Sequence, residues 1–154
     1  MSIIDAGAAV ETDRSLYSGV YVNAAVKFFQ DYVTRILTGD QYSGRGTHAK
    51  AGTAKATVEI ITPHGDVLLS SEHCLLAGEI AARLTFTAIH QEVDKRVAGA
   101  KLLTVVITEN STIVRVGPAI QLHKIGPSSN QNGIIDEIVV IMLSNLQHSL
   151  PAIQ

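Results

Sequence analysis

Six histidines, at positions 48, 64, 73, 90, 123 and 148, and one cysteine, Cys74, are the residues whose types could carry chemistry. No two histidines stand in the His-Glu-x-x-His spacing of a helical zinc site. The stretch His90-Gln91-Glu92 matches His-x-Glu but lacks the paired cysteines of a zinc deaminase. A hairpin between His64 and His73-Cys74 could bring these three side chains together around a metal. The plainer reading is scattered surface or interface histidines, so no metal and no cofactor is expected. His73 and Cys74 are neighbours, and adjacent residues on a strand point to opposite faces, which is the wrong geometry for a base to reach a thiol. No serine sits in a Gly-x-Ser-x-Gly elbow.

Among the carboxylates, Glu79 and Glu92 each have an arginine four residues on, Arg83 and Arg96, and read as surface pairs on a helix. Asp136 and Glu137 are different, because they interrupt the apolar run Ile134–Leu143. A carboxylate held at the mouth of a core has a raised pKa and can act as an acid, whereas one at a solvated strand end cannot. From Asp40 to Thr53 the chain reads DQYSGRGTHAKAGT, a glycine-rich and locally basic loop in which Arg45, His48 and Lys50 form a possible anion-binding set. It has neither the Gly-Lys-Ser/Thr ending of a phosphate loop nor a Gly-x-Gly-x-x-Gly fingerprint after a strand. Tyr42 is its one aromatic, and with a net charge of −2 the chain has no field to attract nucleic acid, so nucleic-acid binding is not expected.

The elements that must position these residues follow from periodicity. Residues 1–14 show no period and read as an N-terminal arm that carries Ile3 and Ile4, ahead of a single domain over 15–154. Leu16–Val22 reads as a short strand. Asn23 reads as an N-cap for a helix over Ala24–Thr38, whose apolar half-wheel holds Phe28, Phe29, Tyr32, Val33, Ile36 and Leu37 and which Gly39 terminates. Ala56, Val58 and Ile60 alternate along a strand, Pro63-His64-Gly65-Asp66 reverses the chain, and Val67–Leu69 runs back. Leu75–Ala98 reads as a second helix with two apolar stripes. One contains Leu76, Ile80 and Leu84, the other Phe86, Ile89, Val93 and Val97, and the latter is available to a neighbouring subunit. A hairpin follows over Leu102–Thr108 and Thr112–Val116, then a strand over Ala119–Ile125, a polar loop over Gly126–Gly133, and over Ile134–Leu143 a strand buried on both faces, with a buried helix as the alternative that period alone leaves open.

This order predicts an α+β two-layer sandwich of ferredoxin-like βαββαβ type, with an extra hairpin and a C-terminal strand. The 154 residues, 46% hydrophobic and 17% charged, are one domain's worth and can bury a full core. No apolar run reaches the length of a membrane span and the first ten residues lack a basic n-region, so neither membrane insertion nor a secretion signal is expected. The compartment stays unconstrained between cytoplasm and virion. A surplus of apolar faces without a catalytic motif points to a non-enzymatic assembly subunit, a homo-oligomer forming a ring or shell, alone or with other assembly proteins. The weakly charged, Ser/Thr/Ala-rich character suits a virion or phage head-to-tail component. Phe86, Ile89, Val93, Val97, Ile3 and Ile4 are its expected interface residues. The alternatives are a small enzyme with an inter-subunit site, built from His64 or His73 with Asp136 or Glu137 and the basic loop, and a ligand-binding regulatory module.

Overall fold

The computed structural model describes residues 3–153. The chain opens on a long helix, α1 (Ala6–Thr38), followed by one short turn of helix, α2 (Asp40–Ser43). Seven strands come next: β1 (His48–Ala51), β2 (Val58–Thr62), β3 (Gly65–Leu76), β4 (Glu79–Glu92), β5 (Lys95–Thr108), β6 (Thr112–Val116) and β7 (Ala119–Lys124). The helix α3 (Gly133–His148) closes the described chain. The strands form one sheet in the order of the sequence, and every neighbouring pair is antiparallel.

The ferredoxin-like expectation is therefore overturned. A helix comes first, no helix lies between strands, and the sheet is an open antiparallel meander. Three local assignments account for the difference. Leu16–Val22 belongs to α1, which Asp5 caps by accepting the Ala8 N–H at 2.7 Å, so the helix expected over Ala24–Thr38 begins instead at Ala6. Leu75–Ala98 is the end of β3, all of β4 and the start of β5 rather than a helix: between β3 and β4, Ala77 and Gly78 take φ of 51° and 80°, the left-handed pair that a tight two-residue hairpin turn requires. Beyond that turn Ala82, Leu84, Phe86 and Ala88 alternate inward against half-buried Thr85 and Thr87 outward, a period of two. Ile134–Leu143 is helix, because the run continues to Leu146 with Ile134, Ile135, Ile138, Val139, Met142 and Leu146 on one side and both Asp136 and Glu137 on the other.

Both helices lie on the same face of the sheet. Val22, Phe29, Val33 and Leu37 of α1 and Ile135, Ile138 and Met142 of α3 share one buried cluster with Val58, Ile60, Leu69, Leu84, Phe86, Val105, Ile107 and Ile113. Phe29 meets Phe86 edge-on with ring centroids 6.5 Å apart. In β5 the register against β4 slips twice, and consecutive Leu102 and Leu103 both turn inward. Asn145 of α3 donates to the Leu102 carbonyl at 2.7 Å, which satisfies a backbone group at that irregularity.

The opposite face carries none of the described helices. Register places Ser70, Thr85 and Thr104 in one row across it. Ion pairs flank this row: Arg96 reaches Glu59 at 3.2 Å and Asp66 at 3.1 Å, and Lys50 reaches Glu59 at 3.8 Å. At the other end of the same face Arg83 donates from Nε to Glu72 at 2.8 Å, and that hydrogen bond and charge hold the guanidinium above its ordinary value.

Candidate functional site

The residues expected to do chemistry are dispersed. His64 sits in the turn between β2 and β3, where its N–H is accepted by Thr62 Oγ1 at 3.0 Å. His73 lies nine residues further along the same extended strand, about 30 Å away at strand rise. His73 has a structural partner: its Nε2 lies 2.7 Å from Asn23 Oδ1 on α1. Asn23 is thus mid-helix rather than a cap, and Gly19, one turn earlier, leaves room for the imidazole, because a Cβ there would stand 3.2 Å from His73 Cε1. Cys74 is half-buried and, by alternation along β3, faces the side of the sheet opposite His73.

Asp136 and Glu137 are exposed in the first turns of α3. His64 approaches α3 at its other end, 3.4 Å from Gln147 Nε2. Eleven residues of helix separate Gln147 from Asp136, about 16 Å. The histidines and the two carboxylates do not converge, and among the described residues no group of three or more His, Cys, Asp and Glu is placed to hold a metal. In the basic segment, Arg45 is exposed in the turn after α2, while His48 and Lys50 project from β1 on the side opposite buried Ala49, where Lys50 meets Glu59.

The expected interface residues separate in the same way. Phe86 is fully buried against Phe29 within its own chain, which removes it from any outer surface. Ile89 and Val97 are half-buried on β4 and β5, and Val93 stands 97% exposed at the tip of the hairpin that joins those strands. Beyond Ile89 that hairpin has no β3 partner, and β6 pairs with β5 only from Val105 onward, so the tip extends past the sheet. Ile3 and Ile4 are exposed just ahead of the Asp5 cap.

The surface that does gather is on α1. Its buried residues begin at Gly19, so the first thirteen helical residues, about 20 Å of helix, reach past the core. Val10, Leu16 and Tyr17 are between 63% and 70% exposed there, and just beyond, Val20 and Tyr21 are 64% and 61% exposed on the side of α1 away from its buried residues. A second apolar patch lies on β7, the last strand of the sheet, where Ile120 and Leu122 are 75% and 72% exposed on one side of an edge with no further strand beside it. Reading residues 16–22 as a strand hid the first patch. Its signal was a helical period that continues unbroken through Asn23.

No described helix is long and apolar enough to cross a membrane. Comparison of the chain with protein-family models, with curated proteins and with solved structures finds no match to any of them.

Proposed function

We propose that the chain is a non-enzymatic structural subunit that assembles with copies of itself into a ring or shell, of the kind a virion component builds. The single observation that carries this reading is the first half of α1, Val10 to Tyr21, where five large apolar side chains stand in water. Burying a side chain of that size contributes about 1.5–3 kcal/mol, so a helix presenting five of them on one segment gains by being covered. The exposed edge of β7, with Ile120 and Leu122 beside unpaired backbone groups, is a second surface suited to a copy. A ring or shell is built either by one head-to-tail contact joining two different patches or by two different two-fold contacts, because a single two-fold contact closes at a dimer.

The experiment is light scattering coupled to size-exclusion chromatography across micromolar concentrations. The expected result is a defined mass that is a multiple of the 16.4 kDa chain. A homogeneous monomer throughout that range overturns the reading.

A further inference from the structure

The face of α1 directly opposite its buried face carries Asp13, Tyr17, Val20, Ala24, Lys27 and Asp31, at successive intervals of four, three, four, three and four residues. All six are exposed. That alternation is the spacing of a helix–helix seam, and it spans about 27 Å. Leu16 and Tyr21, also exposed, flank it on either side. The apolar members occupy the middle and the charged ones the ends.

We infer that this seam is an antiparallel helix pair between two copies of the chain, with the two-fold axis passing beside Val20. The inference rests on the self-assembly reading above and names the partner surface. Charge decides both the occupant and the direction. In the antiparallel register centred on Val20, residues whose numbers sum to 40 stand opposite each other. Asp13 then faces Lys27 of the second copy, and by symmetry the same pair forms again at the other end. Val20 meets its own equivalent, and bulky Leu16 packs over small Ala24. A parallel, in-register pair would instead set Asp13, Lys27 and Asp31 each against its own like charge. Within one chain Lys27 already pairs with Asp31 at 3.1 Å, so the ammonium is held on the seam side where Asp13 of the other copy arrives.

The test has two parts, each in a Cys74→Ser background. In the first, Leu16→Cys and Ala24→Cys proteins are mixed under mild oxidation. The antiparallel seam predicts a disulfide between the two different variants and little within either one, whereas parallel pairing predicts the reverse and overturns the proposal. In the second, Asp13→Lys is expected to weaken self-association about tenfold or more, and Asp13→Lys with Lys27→Asp to restore it. Because these side chains are exposed, circular dichroism is expected to be unchanged in all four proteins. If the wild-type chain is oligomeric but shows no mixed disulfide and no charge-swap rescue, this inference is overturned while the assembly reading stands. A wild-type monomer overturns both.

Discussion

Phe29 and Phe86 are the two largest fully buried side chains among the described residues, and each is the other's edge-on neighbour between α1 and β4. Phe29→Ala is expected to cost about 3–5 kcal/mol in urea unfolding, the transfer loss plus an unfilled cavity. Phe86→Ala made on top of it should cost less than it does alone, because the two side chains share one contact. The pair Asn23–His73 is smaller in effect. It is exposed and hydrogen-bonded at 2.7 Å, so Asn23→Ala should lower stability by about 1 kcal/mol or less. Arg96, bridging Glu59 and Asp66 on a half-exposed surface, belongs to the same modest class. Its replacement by alanine should cost well under 1 kcal/mol after solvent screening, with the difference shrinking further in molar salt.

At the scale of elements, the hairpin between β3 and β4 depends on two left-handed residues in succession. Gly78, at φ 80°, has open space where a side chain would go, so its constraint is conformational rather than steric. Gly78→Val is expected to destabilise by about 1–2 kcal/mol, visible as a lower urea midpoint with an unchanged slope. This turn is also where reading the sequence failed. Ala77-Gly78 lacks the asparagine or aspartate that usually announces a tight hairpin, and alanines at 77, 81, 82, 88 and 98 fit a helical wheel as well as they fit a strand. Helix α3 is ambiguous in the sequence for the opposite reason. Ile134–Leu143 is so uniformly apolar that its period is hard to read, and only the outward Asp136 and Glu137 mark a face. The strand Val58–Thr62 was legible because it alternates cleanly, whereas Thr112–Val116, crossed by a register shift, was marked by its β-branched residues instead. Hydrogen exchange supplies an element-scale check on α1: amides of residues 10–18 should exchange fast in dilute solution and become protected as concentration rises, while those of residues 22–37 stay protected throughout.

For the whole molecule, a meander in which every strand pairs with its sequence neighbour closes only short loops, and it leaves two open edges. One edge, β1, is four residues long and carries Lys50, a charge that discourages further pairing. The other, β7, has Ile120 and Leu122 exposed and no charge before Lys124. Replacing Leu122 with lysine should leave unfolding free energy within about 0.5 kcal/mol of wild type. If the edge joins copies, the same substitution should reduce the mass of the largest species seen by light scattering. Combined with Asp13→Lys on α1, it should bring the protein to a monomer.

Sequence alone determined the helix around Phe29 and Val33 and the alternating strand Val58–Thr62, because these are set by local period and local backbone preference. Of the side chains it marked as outward, Ile3 and Val93 do stand exposed, whereas Phe86 is core. Tertiary structure decided the rest. Phe86 became core because β4 packs on α1, Val10 and Leu16 were left in water because burial along α1 starts only at Gly19, and Val20 because it lies on the side of α1 turned away from the sheet. Burial of a given side chain depends on which elements stop where, and that is a property of their mutual packing rather than of any single segment.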